Sequence, residues 1–181
     1  MPIVLNGSTG AITGLSQLPD SAMASGSIIQ VVSATKTDTF STTSTSFIDV
    51  PSLSVSITPA SSSNKILVSG FVTGLGTSNT RLAHRLVRDS TAICIGDAAG
   101  SRARAFGGIY TNEDGETPET VSFVHLDTPS TTSATTYKIQ IVNGNQTDSV
   151  YVNRGNTSSD SFAHPRTTSS ITVMEVAAGV D

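Results

Sequence analysis

The sequence predicts an all-β protein: an antiparallel β-sandwich of jelly-roll type preceded by an extended N-terminal arm. Three observations carry that prediction. Thr, Ser, Val, Ile and Gly outnumber the strong helix formers, with Ser and Thr together roughly three residues in ten of the 181. Hydrophobic residues make up 36 % and charged residues only 13 %, too apolar a balance for a disordered chain, whose mark is low hydrophobicity with high net charge. Short β-rich runs recur with turn residues between them, the pattern of a sandwich or barrel.

Residues 1–26 read as an arm and 27–181 as the sandwich domain. In the arm, extended pieces are broken by Gly turns, and Ile3, Val4, Leu5, Ile12, Leu15 and Leu18 are spaced along it. Left in water these side chains would each forgo roughly 1.5–3 kcal/mol of burial, so the arm is expected to pack onto something. Ser27–Ala34 is the first strand of the domain. Thr45–Val50 follows, and Pro51 is expected to open a separate strand over Ser52–Thr58, with Leu53, Val55 and Ile57 on one face and hydroxyls on the other.

Lys65–Thr73 is apolar enough on both faces for a central strand. Arg81–Arg88 also fits a helical stripe, but its neighbours favour a strand, paired through an Asp89-Ser90 turn with Thr91–Gly96. Asp97–Thr120 is expected to be a long surface excursion, and Gly74, Gly76, Gly107 and Gly108 to be turns. Val121–Leu126, Thr135–Val142, a short Ser149–Asn153 and Ser170–Val176 complete nine or ten strands. No tandem repeat is visible.

The net charge of −4 comes without a basic stripe, so nucleic acid is not an expected partner. No run of eighteen apolar residues exists and the N-terminus lacks a basic segment, so neither membrane insertion nor a secretory leader is expected. Cys94 is the single cysteine, set among apolar neighbours, and reads as a buried, inert structural thiol.

No catalytic residue, metal ligand or cofactor is expected. His84, His125 and His164 never approach metal-ligand spacing. Glu113, Asp114, Glu116 and Glu119 crowd one loop without the ligand alternation of a calcium site and read as a solvated acidic turn. No serine lies in a nucleophile elbow, and no glycine run cradles phosphate. Arg81, Arg85, Arg88, Arg102 and Arg104 fall in one quarter of the chain. They suit either an anionic glycan or pairing within and between subunits, with pairing preferred because alternation separates them onto different faces.

Several segments together resemble small virion proteins of tailed bacteriophages, particularly those of marine and cyanobacterial hosts: Ile3–Gly10, Ser27–Val32, Lys65–Val68, Arg85–Ala92, Leu126–Gln140 and Ser170–Val176. Such proteins are described as tail-fibre or minor structural proteins and are similar to tumour-necrosis-factor-like jelly rolls. The resemblance implies a homotrimer located on the virion, in contact with other phage virion proteins. The arm would then dock the protein onto the particle.

Within that reading, contact with host surface polysaccharide would rest on loop-borne groups: Tyr110 in the long loop, Asn143, Asn145 and Gln146 in the next, and Arg154, Asn156, His164 and Arg166 in the last. Without tryptophan the strongest stacking platform is missing. A tail fibre or fibre tip that attaches the phage to its host is the first functional expectation. A capsid decoration or head-fibre protein is the second. A polysaccharide depolymerase, resting on Glu113 or Glu116 with Asp160, ranks last.

Overall fold

The computed structural model describes residues 23–77, 79–111, 117–145 and 148–178, together with the backbone of two short arm strands. Those arm strands, β1 (Val4–Leu5) and β2 (Ile12–Thr13), pair antiparallel with Leu5 opposite Ile12. The arm residues Ile3, Leu15 and Leu18 lie outside the described residues, as do Gln146, Glu113, Asp114 and Glu116.

The domain is built from β3 (Ile28–Lys36), β4 (Phe40–Thr42), β5 (Ile48–Ile57), β6 (Lys65–Gly76), β7 (Thr80–Arg88), β8 (Thr91–Ile93), β9 (Gly107–Thr111), β10 (Glu119–Asp127), β11 (Thr135–Asn143), β12 (Val150–Val152) and β13 (Ser169–Val176). Every pairing is antiparallel, and the strands form two packed sheets without a helix among the described residues. The all-β sandwich expected from composition and alternation is therefore what forms, consistent with a jelly-roll-like architecture.

One sheet is organised on β6 and the other on β7. Along one edge of β6 lies β10, from Asp127 opposite Ile66 to Glu119 opposite Gly74. The other edge is shared in succession by β13, beside Lys65–Phe71, and β12, beside Gly74–Gly76. β3 and β4 continue outward on β13 and β12. In the second sheet β7 has β11 on one edge, with β5 beyond it, and β9 and β8 in succession on the other. The apolar run Lys65–Thr73 thus takes the central position its two apolar faces suit.

The core lies between the sheets. Leu53, Val55 and Ile57 of β5 and Ile66, Val68 and Val72 of β6 all belong to it, each at most 5 % exposed. Alternation sets this burial, since the hydroxyls between Leu53, Val55 and Ile57 are exposed. At one end of the sandwich, Asp127 of β10 accepts two hydrogen bonds from Arg88 Nη1 at 2.8 and 2.9 Å and one from the Tyr137 hydroxyl at 2.7 Å, tying the sheets together. Burial and the adjacent carboxylate push the Tyr137 phenol far above its ordinary pKa. Glu175, fully buried on β13, accepts from Ala60 N–H and Asn64 Nδ2, each at 2.7 Å, and from Gln30 Nε2, which fixes the turn between β5 and β6.

Four expectations are corrected. Pro51 does not divide two strands: β5 runs through it, with Ser52 at φ +65° and a register shift opposite Lys138–Gln140 absorbing the irregularity. The stretch Asp97–Thr120 is not one loop, because β9 forms within it and pairs with β7. The four glycines are strand residues rather than turns. A Cβ on Gly74 would stand 2.3 Å from the Tyr151 carbonyl oxygen and one on Gly107 2.5 Å from Val121 Cγ1, so close approach, not a reversal of the chain, explains them. Eleven strands, β3 to β13, form among the described residues of the domain where nine or ten were expected, the added pieces being the short β4 and β9.

Candidate functional site

The outer surfaces of the two sheets differ in chemistry. On the β7 sheet, polar side chains link neighbouring strands: Asp49 accepts from Lys138 Nζ at 2.8 Å and Gln140 Nε2 at 2.6 Å, and Gln140 Oε1 accepts from Arg85. Arg85 also lies over the Phe47 ring, 3.9 Å from its centroid. On the β6 sheet, the register aligns Leu126, Leu67, Met174 and Val31 in one row across four strands, with Val124, Phe71, Val176 and Ile28 beside it. Val124 is 71 % and Val31 56 % exposed.

On the β7 sheet, β7, β9 and the end of β11 frame an open cleft of about 600 Å³. Its floor includes Ala83 and Gly108, directly opposite each other in the β7–β9 ladder. Arg81 lies over the Tyr110 ring at 4.7 Å, and the Tyr110 hydroxyl donates to Asn79 Oδ1 at 3.1 Å. Asn143 closes the other side. Its backbone N–H donates to Ser44 O at 2.9 Å, its Oδ1 accepts from Asn145 N–H at 2.8 Å, and its Nδ2 donates to Asp148 O. Ser101 and Ala103, from the loop after β8, overhang the cleft. A second cleft of about 430 Å³ adjoins it, sharing Ala83, Ala103 and Gly108 and adding Arg102 and Arg104.

Of the residues the sequence singled out for glycan contact, Tyr110 and Asn143 meet in this cleft. Asn145 stands next to it, its Nδ2 directed to Asp148 Oδ2 at 3.0 Å. Arg154, Asn156, His164 and Arg166 do not join them; they belong to the loop between β12 and β13. Arg154 lies over the Tyr151 ring at 4.1 Å, Arg166 Nη2 donates to Ser158 Oγ at 2.7 Å, and His164 Nδ1 is 2.7 Å from Ser159 Oγ. Asp160, on the same loop, is exposed.

The arginines of β7 divide as alternation indicates. Arg81 and Arg85 share the outer face of β7, while Arg88 turns to Asp127. Arg104 Nε donates to Gly96 O at 2.7 Å. Ser101, Ala103 and the Ala83–Gly108 floor had no signal of their own in the sequence, since small residues mark a cleft only once the register is known.

His84 is fully buried on β7, its ring stacked on Phe106 at 5.9 Å. Burial lowers its pKa to about 4, and the Gly107 backbone opposes that only in part. Cys94 is half-buried rather than buried, at φ +53° just past the end of β8, and burial pushes its thiol upward. β8 ends at Ile93, short of the expected Gly96. His125 is half-buried on β10, opposite Val68. Among the described residues no three His, Cys, Asp or Glu side chains group as metal ligands, and no helix is long and apolar enough to cross a membrane.

The fold and its cleft define a class, a two-sheet antiparallel sandwich with an open recess on one outer face. No protein-family model matches the chain, and no curated protein matches it. Among solved structures it is similar to the infectious bursal disease virus VP2 subviral particle at 13 % identity and TM-score 0.47, covering 98 % of this chain and 37 % of that one. It is also similar to the structure of the Gx strain of the same virus, at 17 % identity and TM-score 0.42, covering 82 % and 36 %. This chain spans little more than a third of the length of either.

Proposed function

We propose that this protein is a structural component of a virion surface, a bacteriophage tail fibre or fibre tip that attaches the particle to its host as an oligomer. The observation that carries the reading is the division of labour between the two outer faces. The β7 face carries the cleft that unites Tyr110 and Asn143. The β6 face carries an uncharged apolar row suited to burial between copies, with Lys65 at its margin. The resemblance of the strand and turn segments to phage virion proteins supports the same reading. No enzymatic step is part of it: binding by several weak sites at once supplies the strength.

Replacing Val124 and Leu126 together by lysine places two charges in the apolar row. The expected result is a folded protein that sediments as a monomer and binds susceptible host cells at least tenfold more weakly than the unaltered oligomer. The unaltered soluble protein is expected to coat such cells and to block phage adsorption. Failure of the unaltered protein to do either overturns the attachment role. An unchanged sedimentation coefficient in the double variant overturns the role given to the β6 face.

A further inference from the structure

We propose that the groove over β7 and β9 binds an anionic polysaccharide strand, with Arg81, Arg102 and Arg104 as its acid-recognising residues. This rests on the attachment reading and specifies its ligand.

The distribution of positive charge is the first support. Of the ten Lys and Arg residues, three lie in ion pairs with carboxylates among the described residues. Lys36 pairs with Asp38, Arg88 with Asp127 and Lys138 with Asp49. Arg85 is held by Gln140 and Phe47. Arg81, Arg102 and Arg104 have no carboxylate within ion-pair distance among the described residues, and all three line the two adjoining clefts. Asp97 is the acidic side chain among the described lining residues.

Two of these arginines are held before any ligand arrives. The Tyr110 ring under the Arg81 guanidinium limits its freedom, and a guanidinium suits a planar carboxylate or a sulfate. The Nε–H···O=C bond to Gly96 fixes Arg104. Such preorganisation reduces the ordering cost of binding. Each cleft is within the roughly 300–1,000 Å³ range of ligand sites, and the two run together over Ala83 and Gly108, which suits an elongated ligand.

The floor favours sugar over peptide. An extended peptide gains its affinity by adding a strand to a free sheet edge. Here both edges of β7, the strand along the middle of the floor, are taken, one by β11 and the other by β9 and β8. Ala83 and Gly108 provide no side-chain pockets for alternate residues. A polysaccharide needs instead an aromatic face, fixed donors and a smooth bed, which Tyr110, the arginines and the Ala83–Gly108 floor supply.

The test uses the full-length protein in affinity electrophoresis through polygalacturonate, neutral dextran and polyglutamate. Retardation by polygalacturonate, weakened by salt and absent with dextran, is the expected result. Arg81→Gln combined with Arg104→Gln is expected to lower the affinity at least tenfold with an unchanged melting temperature, and Lys65→Gln to leave it unaltered. Equal retardation by polyglutamate overturns the polysaccharide assignment in favour of an acidic protein segment. Retardation by dextran with no effect of the arginine substitutions overturns the anionic assignment while leaving host attachment standing. Loss of host-cell binding by the unaltered protein, with polygalacturonate binding intact, instead locates the failure in the attachment reading.

Discussion

Replacing Asn153 by alanine is expected to destabilise the sandwich by about 3–5 kcal/mol, from the loss of several buried hydrogen bonds at once. Asn153 is fully buried, where β12 ends. Its Nδ2 donates to the Lys36 and Asp38 carbonyls, both at 2.9 Å, and its Oδ1 accepts from Ser169 Oγ at 2.7 Å. Its backbone N–H donates to Thr73 O at 2.8 Å and its carbonyl accepts from Thr167 N–H at 3.2 Å. One residue thereby joins β3, β6, β12 and β13. The backbone sits at φ +62°, a region asparagine tolerates better than alanine, so the substitution adds strain to the orphaned partners.

Urea unfolding measures the loss, and the melting temperature should fall by roughly 6 °C or more at about 2–4 °C per kcal/mol for a domain of this size. Asn153→Asp keeps the shape and the acceptor but loses both amide donors, and should also be strongly destabilising. A change below 1 kcal/mol for the alanine variant would show that the joint is dispensable.

Acid is expected to weaken the fold through His84 by about 3 kcal/mol between neutral pH and pH 4. The imidazole is fully buried, the Gly107 backbone is no more than a weak polar partner to it, and Phe106, with Phe123 4.6 Å beyond, lines its surroundings. Burial therefore opposes the imidazolium, and the folded-state pKa is about 4 against an ordinary value of 6.5. The sign follows from the depressed value. Below the ordinary pKa the unfolded chain takes up a proton that the folded chain refuses, so stability falls with pH from about 6.5 to about 4 and levels off below.

The Asp38 and Asp49 carboxyls, both held below the usual carboxylate range, add their own acid loss, which a comparison of variants removes. His84→Met keeps comparable bulk without a titrating group. Its unfolding free energy should decline less between pH 7 and pH 4 than that of the unaltered protein, by about the same 3 kcal/mol. Parallel pH profiles for the two proteins would rule out His84 as the source.

The long strands were legible because burial follows period two: Leu53, Val55 and Ile57, or Ile171 and Val173, announce an inner face without any knowledge of partners. β4 and β9 were not, because Phe40–Thr42 and Gly107–Thr111 are too short or too glycine-rich to display a period, and they become strands only through β12 and β7. Pro51 misled for a similar reason. The proline signal is local, whereas β5 is held by its register with β11 on both sides of the irregularity.

For the site, Tyr110 and Asn143 were readable as residue types suited to sugar but were expected in loops; they lie on β9 and β11, and their shared location depends on β7 pairing with β9 on one edge and β11 on the other. The same long-range pairing brings Arg81 against Tyr110 and leaves Arg154 and Arg166 elsewhere. Asn153, the most connected amide described, looked like an ordinary strand end because every one of its side-chain partners is at least sixteen positions away.

Because β12 and β13 lie one after the other against the same edge of β6, the segment between them leaves the sheet and returns to it with its two ends anchored near Asn153. Thr157–Ala163 is exposed throughout, Phe162 completely so. Evolution can therefore rewrite, lengthen or trim this stretch while the scaffold beneath keeps its shape. That makes it a natural port for a foreign peptide grafted by an engineer.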